Sequence, residues 1–128
     1  MDTPERVGAE YVIPVKANTK IFFGTLVVLD GGFAAPGRTA LNLIVMGRAE
    51  ETVDNTGGAA GDKSIKVRRG VFKFNQDPGA VSTQANVGTD AFITDDQTIA
   101  RTNGTNTKSR AGRIMQIDAD GVWIDTRY

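Results

Sequence analysis

The sequence predicts an all-β fold: a small β-barrel or jelly-roll-like sandwich of short strands, with a flexible N-terminal arm and little or no helix. Three observations predict it. Short β-branched and aromatic runs broken by Gly, Asp and Asn fill nearly the whole chain, several of them alternate apolar with polar, and no window carries the spacing of an amphipathic helix of ordinary length. At 128 residues and 13.7 kDa the chain is sized for one domain, predicted over 11–128, which needs neither metal nor disulfide to hold its core.

Taken in order, Met1 to Glu10 is polar and carries too little apolar surface to repay its own ordering, so it reads as an arm. Tyr11 to Val15 opens the folded region. Ile21 to Leu29 is apolar on both alternating faces, the pattern of a strand covered from two sides, and Asp30-Gly31-Gly32 ends it with residues that accept positive φ. Leu41 to Met46 repeats the two-sided pattern before Gly47-Arg48-Ala49 leads the chain away. Two such strands need a barrel interior with a covering loop, or a neighbouring subunit.

Val53 to Asp62 is a Gly-rich connection, Ile65 to Arg68 alternates apolar with basic, and Gly70 marks a bulge or bend before Val71 to Phe74. Asn75 to Gly79 is a turn cluster, and Val81 to Val87 has room for one short helical turn. Ala91 to Thr94 and Thr98 to Arg101 are short strands flanking Asp95-Asp96, and Asn103-Gly104 suits two consecutive positive φ values. The final hairpin joins Arg113–Asp118 to Val122–Asp125. A two-residue turn at Asp120-Gly121 would put Met115, Ile117, Val122 and Ile124 on one apolar face and Trp123 on the other, whereas a three-residue turn with a bulge changes that pairing.

The chain has no His and no Cys, which removes most tools for proton transfer, nucleophilic attack and metal capture. Fifteen basic and fifteen acidic residues balance, so the footprint of a general nucleic-acid or polybasic membrane binder is missing. No run is apolar and long enough to read as a signal core or a membrane span, so a soluble protein made inside a cell is expected.

The motifs that hint at chemistry have plainer readings. Gly57 to Ser64 imitates a phosphate loop, but Asp62 falls between Gly61 and Lys63 and a strand follows instead of a helix, so a flexible loop is expected. Asp118, Asp120 and Asp125 lack the ligand spacing of a helical calcium loop and read as a hairpin turn. The pairs Glu50-Glu51 and Asp95-Asp96 point to opposite sides of an extended backbone. Lys66, Arg68 and Arg69 with Lys108, Arg110 and Arg113 would form a basic stripe only if their strands were neighbours, and a wet strand face is the expectation. Asn103-Gly-Thr105 matches a glycosylation acceptor without a secretory signal. No catalytic, cofactor-binding or metal-binding residue is assigned, and no enzymatic activity is expected.

The ordered set Tyr11-Val-Ile-Pro14, Lys16-Ala17 with Gly24 after the Phe pair, Gly47-Arg48-Ala49 with Val53-Asp54-Asn55, and Arg69-Gly70-Val71-Phe72 resembles the capsid cement, or head decoration, proteins of tailed bacteriophages and prophages. The resemblance continues through Asp95-Asp96-Gln97-Thr98, Arg110-Ala111-Gly112 and Gly121-Val122-Trp123-Ile124, covering roughly residues 11 to 125. It implies a barrel or jelly-roll-like domain, synthesised in the bacterial host cytoplasm, that sits as a dimer or trimer on the outer capsid surface and ties major capsid protein subunits together. Candidate interface residues are Val7, Tyr11, Ile21, Phe22, Phe23 and Trp123. The arm is expected to latch onto capsid or a neighbouring subunit. The alternative function is a small β-barrel module that binds carbohydrate or another small ligand, for which exposed aromatics around a cleft would be the sign.

Overall fold

The computed structural model describes residues 10–127, and Val7 with the rest of the predicted arm up to Ala9 lies outside them. Glu10 already belongs to the first strand. The chain forms β1 (Glu10–Pro14), β2 (Lys20–Ile21), β3 (Leu26–Asp30), β4 (Phe33–Pro36), β5 (Ile44–Ala49), β6 (Val53–Asp54), β7 (Ser64–Arg68), β8 (Val71–Gln76), β9 (Asp90–Ile93), β10 (Thr98–Ala100), β11 (Arg110–Asp118) and β12 (Gly121–Asp125). The fold is all-β, as predicted. Its helical content among the described residues is one 3-10 turn, Gln84–Asn86, inside the stretch expected to hold one.

Two sheet systems share the chain. Strands β1-β7-β5-β3-β4 form an antiparallel sheet, and β10-β8-β12-β11-β9 close into a barrel in which only β8 and β10 run parallel. The open sheet curls until its edges meet: Val15 bridges Ala34, and the Lys16 N–H donates to the Ala34 carbonyl at 3.0 Å. The β2–β6 pair lies over it, contributing Ile21 and Val53 to the sheet's core.

The strand predicted from Ile21 to Leu29 is two strands. A turn divides them, in which Gly24 takes φ +84° and the Thr25 hydroxyl donates to the Phe22 carbonyl at 2.7 Å. The two-sided burial of its second half is nevertheless real. Val27 packs with Ile13, Val15, Ile65 and Val67 in one cluster, while Leu26 and Val28 enter a second with Ile93, Ile114, Val122 and Ile124 of the barrel. One strand therefore serves two cores of the same chain, and a neighbouring subunit is not needed to cover it. Full burial of a Leu or Val side chain contributes roughly 1.5–3 kcal/mol, which makes β3 the seam of the molecule.

Other expectations shift by small steps. Leu41 and Ile44 are exposed and Asn42 takes a positive φ, so the second two-sided run becomes a bend leading into β5, and Gly47-Arg48-Ala49 continues that strand. Positive φ falls on Gly104, Thr105 and Asn106 instead of on Asn103-Gly104. In the final hairpin Asp118 pairs with Gly121, so Ala119-Asp120 makes the turn, and Met115 is extruded where the register slips between Ile114 and Gln116. The apolar face consequently keeps Ile117, Val122 and Ile124 as expected, with Ile117 half-buried, and gains Ile114 in place of Met115, which is exposed. Gly121 is needed for close approach: a Cβ there would lie 2.8 Å from the Phe74 carbonyl oxygen.

Candidate functional site

Phe72, Lys73 and Phe74 of β8 alternate across the strand. Phe74 points into the barrel core, and Lys73 pairs in register with Trp123 of β12. Together with Val71, Arg48 and the turn glycine Gly24, they line an open cleft of about 410 Å³. A smaller recess of about 210 Å³ continues it along Asn75 and Gln97.

Charges in the cleft are held by specific partners. Arg48 stacks on Phe72 with its guanidinium carbon 4.4 Å from the ring centre, and its Nη2 lies 3.2 Å from Glu50. Its Nε is buried and makes no hydrogen bond. Glu50 also pairs with Arg68 at 3.1 Å. Lys73 bonds Asp120 at 2.5 Å and sits 3.7 Å from Asp118, and the Asp120 bond first of all raises its pKa above the ordinary lysine value. The Trp123 indole N–H donates to Asp118 at 2.7 Å, a bond that most strongly lowers that carboxyl's pKa. Trp123, whose orientation the sequence left open, is half-buried on the face of β12 opposite Val122 and Ile124, with its polar edge already engaged.

Phe22 and Phe23 project beside this cleft and are 51% and 62% exposed. Their turn is braced. The Phe23 N–H donates to Thr52 Oγ1 at 3.0 Å, the Gly24 N–H to the Ala49 carbonyl at 2.8 Å, and the Lys20 ammonium lies 4.8 Å from the Phe22 ring centre. Leu41 and Ile44, 44% and 60% exposed, lie at the opposite end of β5.

The six predicted interface residues do not form one surface. Phe22 and Phe23 are exposed together next to the Trp123 cleft, but Ile21 is fully buried, because its side chain closes the sheet's core against Val53. Tyr11 packs half-buried against that same core, and Val7 lies outside the described residues. The basic stripe does not assemble, since β7 belongs to the open sheet and β11 to the barrel.

The suspected carboxylate clusters serve as structural braces. Asp118 and Asp120 gather on Lys73, and Asp125, 1% exposed, takes both its oxygens to Arg127 at 2.9 Å. Glu51 accepts the Lys66 N–H at 2.9 Å, while Asp95 accepts that of Gln97 at 2.8 Å. Burial, reinforced by Asp95, raises the pKa of Asp96. Among the described residues no group of three His, Cys, Asp or Glu side chains could hold a metal ion, and no helix is long and apolar enough to cross a membrane. The predicted flexible loop after Val53 is fixed by Asn55, whose buried amide donates to the carbonyls of Lys16 at 3.0 Å and Ala59 at 3.1 Å.

Arg48, Phe72 and Lys73 escaped the sequence reading of the site. No local signal could have found them, because Trp123 meets Lys73 through the β8–β12 pairing, whereas the final hairpin sets it only opposite Gln116. Comparison with family models, with curated proteins and with solved structures finds no match for this chain.

Proposed function

We propose that this protein is a structural component of a bacteriophage virion, a dimer or trimer that binds the outer capsid surface and reinforces contacts between major capsid protein subunits. The observation that supports it best is the pair of apolar projections at the two ends of β5: Phe22-Phe23 near its last residue and Leu41 with Ile44 at its first. Six strand residues separate them by roughly 17 Å at about 3.3 Å per residue, so one body presents two distinct contacts. A cement protein needs two contacts, one for its own copies and one for capsid. Multivalent attachment then gives avidity from effective concentration, even where each contact is weak. No reaction is part of this reading.

The test uses negative-stain imaging and co-sedimentation with phage capsids. Phe22→Ser with Phe23→Ser is expected to abolish regular decoration while leaving the oligomer intact, and Leu41→Ser with Ile44→Ser to convert the oligomer to folded monomer. Unchanged decoration by the first variant, or a parent protein that is monomeric in light scattering, would overturn the assignment.

A second reading, a module binding a small ligand, is favoured by the cleft itself. Its volume of about 410 Å³ lies within the roughly 300–1,000 Å³ of ordinary ligand sites, with Trp123 and Phe72 in its wall. Against stacking of a sugar, Arg48 already covers the Phe72 ring. Titration with oligosaccharides while following Trp123 fluorescence separates the readings.

A further inference from the structure

Asn103-Gly104, in the loop between β10 and β11, is the one place in the chain where glycine directly follows asparagine, with Asn103 exposed and Gly104 half-buried. Gly104, Thr105 and Asn106 all take left-handed φ, at +62°, +59° and +63°, and fold the chain back over Asn103. The turn closes on that residue. Its main-chain carbonyl accepts from the Thr107 N–H at 2.8 Å and the Lys108 N–H at 3.0 Å, and its side-chain Oδ1 accepts from the Asn106 N–H at 3.1 Å. Two groups of the turn stay uncommitted: among the described residues neither the Asn103 Nδ2 nor the Gly104 N–H has a hydrogen-bond partner.

Those are the two groups that take part when a peptide cyclises on its own side chain. A backbone nitrogen that loses its proton attacks the side-chain carbonyl carbon of the preceding asparagine, and glycine leaves the approach open because it has no Cβ. The bond to Oδ1 draws charge from Cγ and stabilises the oxyanion that forms there. Lys108 adds a cation beside the nucleophile, with its Nζ 3.2 Å from the position a Cβ would take on Gly104. Comparable sites elsewhere are blocked. Asp30 and Asp120 also precede glycine, but bonds from Lys16 and Lys73 lower their pKa values, and an ionised carboxylate resists a nucleophile. The buried Asn55 spends its Nδ2 on two carbonyls and precedes Thr56.

We propose that Asn103 is a self-modification site, at which the Gly104 nitrogen closes a succinimide ring on Asn103 Cγ and water opens that ring to a carboxylate. Hydroxide takes the Gly104 amide proton, the N–Cγ bond forms, the Cγ–Nδ2 bond breaks, and Nδ2 takes up a proton and leaves as ammonia. Water adding at Cγ restores the main chain with aspartate at position 103, whereas water adding at the Asn103 main-chain carbonyl carbon leaves isoaspartate. Either product gives the formally neutral chain one extra negative charge. Water is the only co-reactant. The capsid reading plays no part in this inference, and either can fail alone.

Ageing the full-length protein in mildly alkaline heavy-oxygen water, followed by peptide mapping in a mass spectrometer, tests it. Asn103 is expected to become aspartate and isoaspartate with uptake of one water oxygen, at a rate that rises with hydroxide concentration, while the other asparagines stay intact. Lys108→Gln is expected to slow the conversion roughly threefold or more, because it removes the charge beside the attacking nitrogen. Asn103→Gln is expected to remove the acidic variant from isoelectric focusing. An intact Asn103 in the folded protein, under conditions that convert the guanidinium-unfolded chain, overturns the proposal, as does a rate indifferent to Lys108→Gln.

Discussion

Gly47 in the open sheet and Gly112 in the barrel are the same device placed in two surroundings. Each lies at or beside a slip of strand register, each has a φ near the extended positive limit (+141° and +149°), and at each a Cβ would collide with a backbone carbonyl of the neighbouring strand, Arg68 or Asp125. The surroundings differ in how far they can give way. At Gly47 the obstruction is the path leaving β7 for β8, whereas at Gly112 it is the barrel wall plus the core side chain of Ile124, whose Cγ2 would lie 2.9 Å from the added carbon. The sheet closes by one bridge between its edges and by the Asn55-pinned loop, but the barrel closes by strand pairing all the way round. Closure by pairing leaves less freedom to relax.

The largest expected effect exploits that contrast. Gly112→Ala combines about 1–3 kcal/mol of backbone strain with displacement of Asp125 and Ile124, for a total loss of roughly 4 kcal/mol or more. Gly47→Ala carries the same strain against the backbone of Arg68 and Arg69 but displaces no core side chain, and is expected to cost about 2–3 kcal/mol. Urea unfolding of both variants checks the order, and a larger loss at Gly47 would break the comparison. Next come the two cores themselves. Ile124→Ala and Ile65→Ala each remove a fully buried side chain and are expected to cost about 2–5 kcal/mol, with the barrel variant at the upper end because its wall collapses less onto the cavity.

Acid sharpens the same contrast more gently. Arg127 holds the pKa of the buried Asp125 below the ordinary aspartate value, and Lys16, then Arg38, do the same for Asp30 at the end of β3. Because both folded values are depressed, each carboxylate's contribution is present above the unfolded pKa of about 3.9 and is lost as pH falls through the folded value. Asp125→Asn should therefore be less stable than the parent at neutral pH, with the difference closing in acid. Asp30→Asn should show the same trend at smaller amplitude. Its partners Lys16 and Arg38 are nearly half exposed, so added salt should shrink the effect further. Melting curves between about pH 2 and pH 7 decide it; a difference that widens in acid would contradict the sign.

Much of this architecture was legible because its causes are local. Gly31 and Gly32 end β3 where Asp30-Gly31-Gly32 predicted, and the apolar-basic alternation of Ile65 to Arg68 became β7 with Ile65 and Val67 inside. Two-sided burial of Leu26 to Val28 was also readable, although not its source, because two cores in one chain and a subunit contact leave the same pattern. What failed depended on register. The bulge between Ile114 and Gln116 moved Met115 from the core to solvent, and the split at Gly24 buried Ile21 while leaving Phe22 and Phe23 outside. The cleft was illegible for the same reason, since Arg48, Phe72 and Trp123 come from three strands whose order no local pattern encodes.

The smallest expected effect is a difference of zero. Trp123 is the only tryptophan, so its fluorescence reports the barrel alone, whereas far-ultraviolet circular dichroism reports every strand. If closure by pairing made the barrel an independent unit, the sheet would unfold first and the two probes would give separate transitions. The shared seam argues otherwise. Leu26, Val28, Leu43 and Val45 of the sheet side lie in the same cluster as Ile93, Ile114 and Ile124, so unfolding the sheet would strip apolar cover from the barrel core at about 25 cal/mol per Å² exposed. The loss would destabilise the barrel as the sheet leaves it. We expect the fluorescence and dichroism midpoints in urea to coincide, and the coincidence to persist in Ile65→Ala, whose lesion lies wholly on the sheet side. A fluorescence transition that stays in place while the dichroism transition moves to lower urea would show that β3 does not couple the two halves.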